Sequence, residues 1–97
     1  MQELEFEWDL RKSSSNARKH GVTFEEARSA FYDETASVFD DPDHSQAEDR
    51  FLLLGLSLKL RVLVVCHCLR VRDTKIRIIS ARRATSSEQS TYWSERK

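Results

Sequence analysis

The sequence predicts an α+β domain in which helices stand apart from an antiparallel meander of about four strands. Three observations carry that prediction. Apolar and acidic residues alternate with period two near the N-terminus, two long runs in the second half are apolar on both faces, and two Ser/Thr-x-x-Glu capping boxes open helices. Apolar residues make up 39% of the chain and charged residues 33%, too apolar a balance for a disordered protein. Ninety-seven residues leave room for one domain, residues 1–97.

Taken in order, Leu4, Phe6 and Trp8 alternate with Glu3, Glu5 and Glu7, the pattern of a strand with one wet face. Asp9 is placed to cap a helix that runs to about His20, with Gly21 supplying the left-handed end, although Ser13, Ser14 and Ser15 are poor helix formers. Thr23 and Glu26 form a capping box for a second helix, whose stripe is Phe24, Ala27, Ala30 and Phe31. Residues 35–40 read as a short strand followed by the turn-rich DDPDHS. Phe51 to Leu58 and Val62 to Val71 are the doubly apolar runs, expected in the middle of a sheet. Lys75 to Ala81 is a further strand, and hairpins are expected around Lys59-Leu60 and Arg72–Thr74. Thr85 and Glu88 open a polar C-terminal helix.

Several function classes drop out early. No apolar run approaches the roughly 20 residues that span a bilayer, and MQELEFEWD is acidic where an export signal is basic, so the expected location is cytoplasmic. Two cysteines, two positions apart, exclude a disulfide framework. In a strand Cys66 and Cys68 point one way and His67 the other, so Cys66-His67-Cys68 cannot close on one zinc ion, and no metal or other cofactor is expected.

The zero net charge hides an asymmetry. Residues 1–58 carry thirteen acidic and six basic side chains, whereas residues 59–83 carry eight basic ones against Asp73 alone. A basic segment of this kind is the footprint of a polyanion such as RNA, or else it is paired internally with the acidic half.

FEWDLRKSSSNARKHGVTFEEARSAFYD resembles the N-terminal block of the BrnT toxins (the DUF497 family), and HSQAEDRF, Arg61 to His67 and RIISARRAT match its later blocks. The resemblance covers most of the chain. It implies a RelE-like fold and a toxin that inhibits translation by cutting RNA. It also implies neutralisation by a BrnA-type antitoxin, a ribbon-helix-helix protein covering the basic sheet and supplying most of the contact with operator DNA. Leu60 departs from the family's hairpin glycine, and His67-Cys68 stands where Tyr-Thr is more common.

Metal-independent RNA cleavage uses the substrate's 2′-hydroxyl as nucleophile. The protein must supply a base, an acid and cations for the charge on phosphorus. His67, the only histidine in the meander, is the candidate base or acid, and is read equally well as a buried core residue. Arg70, Arg77 and Arg82, which the family pattern favours, are the candidate phosphate and leaving-group contacts. Strand parity puts Arg77 and Arg82 on opposite faces, as it does His67 and Arg70, so convergence requires a bulge or a strand end. Lys59, Arg61, Arg72, Lys75 and Arg83 are candidate RNA contacts. His44, Glu48 and Arg50 come second, either as catalytic groups or as a structural ion pair. His20 reads as a helix cap and Lys12 and Lys19 as a solvated face, while Tyr92 and Trp93 close the core, stack a base or anchor the antitoxin. The competing reading is a non-catalytic module that binds nucleic acid or a partner and acts mainly as a co-repressor with its antitoxin.

Overall fold

The structure, a computed structural model, describes residues 4–42, 49–72 and 74–95. It comprises β1 (Glu5–Glu7), α1 (Leu10–His20), α2 (Phe24–Ala30), β2 (Ser37–Asp40), β3 (Phe51–Leu56), β4 (Val62–Arg70), β5 (Lys75–Arg83) and α3 (Ser86–Ser94). The five strands form one sheet in the order β1-β5-β4-β3-β2. The four-strand antiparallel meander and the α+β class are as expected from the sequence. Unforeseen is the pairing of β1, which joins β5 in parallel through Glu5–Lys75, Phe6–Ile76 and Glu7–Arg77. That pairing depends on contacts some 70 residues apart in the chain, which no local pattern encodes.

Two apolar layers sandwich the sheet. On one face Val22, Phe24, Ala27 and Ala30 of the α1–α2 region pack on Leu53, Leu63, Val65, Ile78 and Ala81. On the other, Tyr92 of α3 and Ala84 pack on Leu54, Val62 and Val64. This is why β4 is buried from Val62 to Cys68 on both faces. Gly55 is required by the first layer: a Cβ there would meet the carbonyl oxygen of Ala30 at 3.0 Å and Leu53 Cδ2 at 3.0 Å.

The helix ends follow the sequence with one change. Asp9 accepts from the Arg11 and Lys12 N–H groups, and Gly21 closes α1 at φ 69°. The Thr85 box is complete, its side chain accepting from Glu88 N–H while Glu88 reaches back. The Thr23 box is only half formed. Thr23 Oγ1 accepts from Glu26 N–H at 3.1 Å, but the Glu26 carboxylate turns inward to Ser57 Oγ (2.7 Å) and Arg61 Nε (3.0 Å). A guanidinium, making charge-assisted hydrogen bonds, is a stronger partner for a carboxylate than a backbone N–H.

Leu60 in the β3–β4 hairpin sits at φ 62°, and Val71 and Arg72 in the β4–β5 turn sit at 53° and 55°. No helix among the described residues is long and apolar enough to cross a membrane.

Candidate nucleic-acid interface

Whether the β5 cations on either side of Ile79 share a face is decided by one irregularity. In the β4–β5 ladder Cys66 pairs with Ser80 but His67 pairs with Ile78, leaving Ile79 as an extra residue on β5. This bulge shifts the parity of everything beyond it. Arg70 opposite Lys75, Cys68 opposite Arg77 and Val64 opposite Arg82 all fall on one face, that of α3. Arg77 and Arg82 therefore share a face, as the chemistry requires. They stand four ladder steps apart, about 13 Å.

His67 is left on the other face, which corrects the expectation that it joins the arginines. It is 4% exposed, its ring lies edge-on to Phe31 at 4.8 Å and tilted against Phe51 at 5.9 Å, and Nδ1 is 3.2 Å from the Val65 carbonyl oxygen. Burial pushes its pKa below the ordinary 6.5.

The cations form two groups. At the upper corner Arg70, Lys75 and Arg77 surround Glu7 of β1; Arg77 Nη1 donates to Glu7 Oε2 at 2.9 Å. That hydrogen bond holds the Glu7 carboxyl below its usual value, and the charges of Arg77, Arg70 and Lys75 act in the same direction. Lower down, Arg82 holds Glu88 of α3 with both terminal nitrogens, at 2.8 and 2.9 Å, and Nη1 also reaches the Arg83 carbonyl at 3.3 Å. The Arg82 hydrogen bonds bring the Glu88 carboxyl down to about 2. Among the described residues nothing accepts from Nε–H. The side fork of the guanidinium, Nε with the second hydrogen of Nη2, is thus open for a two-point contact with an oxyanion.

Beside Arg82 lies a hollow of about 80 Å³ lined by His20, Leu52, Val64, Cys66, Ser80, Ala81 and Arg82. His20 arrives there through α1. β1 covers β5 only as far as Arg77, so the edge of β5 beyond the bulge needs another partner. Asn16 supplies it: Nδ2 donates to the Ala81 carbonyl at 2.8 Å and to that of Val22 at 2.9 Å, and Oδ1 accepts from Ala81 N–H at 3.1 Å. His20, four residues on along the same helix face, lands next to Ser80 and Arg82. Reading His20 as a cap missed this. The Asn16–His20 spacing, on a helix with few other reasons to dock, was the available signal.

The remaining candidates scatter. Arg61 is bound to the buried Glu26 carboxylate through Nε and Nη2 and to the Gly21 carbonyl at 3.0 Å, so it ties the β3–β4 hairpin to α2. Lys59 is exposed on that hairpin, at the opposite end of β4 from Arg70, Arg72 and Lys75. Arg83 pairs with Leu63 and so belongs to the helix-covered side of the sheet, at its exposed margin. Arg50 pairs through its carbonyl with Asp41 N–H at 2.9 Å; His44 and Glu48 lie outside the described residues. Tyr92 is 2% exposed and its hydroxyl meets Asp33 and Thr35, whereas Trp93 is 49% exposed. Cys66 and Cys68 are buried on the arginine side of the sheet; burial, with the Asp41 carboxylate adding to it, pushes the Cys66 thiol up to about 11, which suits a packing residue and not a nucleophile.

A five-stranded sheet with α1 and α2 on one face, and α3 beside a line of guanidinium and ammonium groups on the other, defines a small α+β domain. The family described as "Ribonuclease toxin, BrnT, of type II toxin-antitoxin system" matches residues 8–88, and the chain belongs to it. It is therefore a ribonuclease toxin of that family. The fold is also similar to the 1.1 Å crystal structure of the Brucella abortus ribonuclease toxin, BrnT, with a TM-score of 0.64 and 24% identity over 87% of this chain and 100% of that one. A search of curated proteins returns no match.

Proposed function

We propose that this toxin cuts RNA without a metal ion, by attack of the substrate's own 2′-hydroxyl on the adjacent phosphorus, at the hollow beside Arg82. The observation that carries the proposal is that one small hollow is lined by an imidazole (His20), a hydroxyl (Ser80) and a guanidinium (Arg82) whose side fork is open. His20 takes the 2′-hydroxyl proton or returns one to the leaving 5′-oxygen, the transfer to which imidazole is suited near neutral pH. Arg82 stabilises the charge that grows on the phosphorane oxygens. Arg70, Lys75 and Arg77 hold phosphates further along the strand as point contacts. The donor set argues for metal independence: the Glu7 and Glu88 carboxylates are already committed to arginines, and the surrounding cations repel a divalent ion. The proposal includes a cytoplasmic setting, a BrnA-type ribbon-helix-helix antitoxin as neutralising partner, and operator DNA reached mainly through that antitoxin.

The test measures cleavage of total RNA in EDTA by wild type, His20→Ala and Arg82→Ala. Each substitution is expected to lower the rate by about 10²-fold or more while the protein stays folded. Wild-type rates in both variants would place the chemistry elsewhere, and a need for added magnesium would remove the metal-free mechanism. The non-catalytic, co-repressor reading predicts intact RNA throughout.

A further inference from the structure

The sheet ends at β2, and this edge is unlike the rest of the molecule. Asp41 N–H donates to the Arg50 carbonyl at 2.9 Å, so by the alternation of an antiparallel ladder Phe39 and Ser37 also turn their backbone groups toward β3. Val38 and Asp40 then direct their N–H and C=O groups outward, where no other strand lies among the described residues. Val38 is 56% exposed and Phe39 46%, so the unpaired backbone is flanked by apolar side chains on both faces. An edge strand with large exposed apolar residues, and with no lysine, proline or bulge within Ser37–Asp40 to blunt it, is a template for another strand.

Electrostatics restrict what that strand can be. Residues 29–49 contain seven acidic residues and no lysine or arginine. Glu34 and Asp40 are exposed at the two ends of β2, and Glu95 of α3 reaches Ser37 Oγ at 3.4 Å from the side. A second copy of this chain is a poor occupant, because the other sheet edge, β1, carries Glu5 and Glu7 and like charges would oppose each other. The added strand must therefore be apolar with interspersed lysine or arginine. At the N-terminal end of β2 the Asp33 carboxylate takes the Leu56 N–H at 2.8 Å, where the ladder would otherwise continue. Beside it opens a cleft lined by Ser29, Tyr32, Asp33, Leu56, Ser57 and Leu58, able to take one large apolar side chain at the end of such a strand.

We infer that β2 is the docking edge for an extended, basic-and-apolar segment of the antitoxin, which adds a sixth strand to the sheet and anchors the antitoxin away from the cleavage face. This deepens the proposed function and rests on its assignment of an antitoxin partner. The mode is β-augmentation: backbone hydrogen bonds give affinity and the acidic flanks select the sequence.

The experiment is amide hydrogen exchange, by NMR, on the full toxin alone and with the purified antitoxin encoded beside it. In the free toxin the Val38 and Asp40 amides are expected to exchange fast and the Phe39 amide slowly. With free antitoxin at 100 times its Kd, Val38 and Asp40 should be slowed by about 100-fold. Val38→Pro, which costs no ladder bond because that N–H points outward, should weaken the complex at least tenfold and leave RNA cleavage by the free toxin at the wild-type rate. A tight complex in which Val38 and Asp40 still exchange fast, with Val38→Pro binding normally, would overturn the strand while leaving the antitoxin assignment intact. No complex at all would overturn both.

Discussion

Replacing His67 separates a packing role from a chemical one. The ring is 4% exposed, stacked edge-on to Phe31 and tilted against Phe51, and the ladder places it opposite Ile78. His67→Ala empties a ring-sized space in that layer and should cost about 3 kcal/mol, a large part of the stability of a domain this size. At about 4–8 °C per kcal/mol, the melting temperature should fall by about 12–24 °C. His67→Phe restores most of the volume and should lie within about 1.5 kcal/mol of wild type.

The pH dependence has a definite sign. The folded state holds His67 below its ordinary pKa of 6.5, so the unfolded chain binds the proton more readily. The associated stability is complete above pH 6.5 and is lost as pH falls from there toward the lowered folded value, at up to about 1.4 kcal/mol per pH unit. Thermal melts between pH 5 and 8 should show that slope in wild type and lose it in His67→Phe. RNA cleavage by His67→Phe at pH 7.5 should match wild type. A folded His67→Phe that has lost 10²-fold or more in cleavage would refute the reasoning and return His67 to the active site.

Three further outcomes follow from other parts of the structure. Arg61→Ala leaves the Glu26 carboxylate, 4% exposed, without its charged partner, and should cost about 3 kcal/mol or more in urea unfolding with no change in the salt dependence of RNA binding. Leu60→Gly relieves a left-handed backbone on a side chain that is 79% exposed, and should stabilise the protein by about 1 kcal/mol in the same assay. Asp33 accepts from Tyr92, Leu56 and Thr35, which hold its carboxyl at about 2; its contribution, about 2 kcal/mol, is present above pH 3.8 and lost between there and pH 2. Acid titration of Tyr92→Phe should show a smaller loss across that window.

The legible parts of the fold were those written in local patterns. Capping residues located all three helix starts, Gly21 located one helix end, and the two doubly apolar runs became β3 and β4. What escaped depends on partners distant in sequence. The parallel seat of β1 on β5 is one case, and the Asn16 clamp that gives a polar, serine-rich helix its reason to dock is another. A bulge between Arg77 and Arg82 was one of the two devices that strand parity demanded, but its position at Ile79 was not legible. It falls within Ile76–Arg77–Ile78–Ile79, a run with no glycine or other feature to mark an extra residue.

That single extra residue decides where Arg82 lies. With uninterrupted alternation, Arg82 would project into the layer of Leu63, Val65 and Ile78, where an unpaired guanidinium is costly, and Ala81 would occupy the cationic face. With the extra residue, Ala81 packs in the core, its backbone meets Asn16, and Arg82 emerges beside Glu88 and His20. His67 lies inside independently of that residue, because β4 alternates without interruption and puts it on the face of Leu63 and Val65. The docking of α1 on the β5 edge depends on where β1 stops, because Asn16 can bond both backbone groups of Ala81 only where that residue's edge is free of β1.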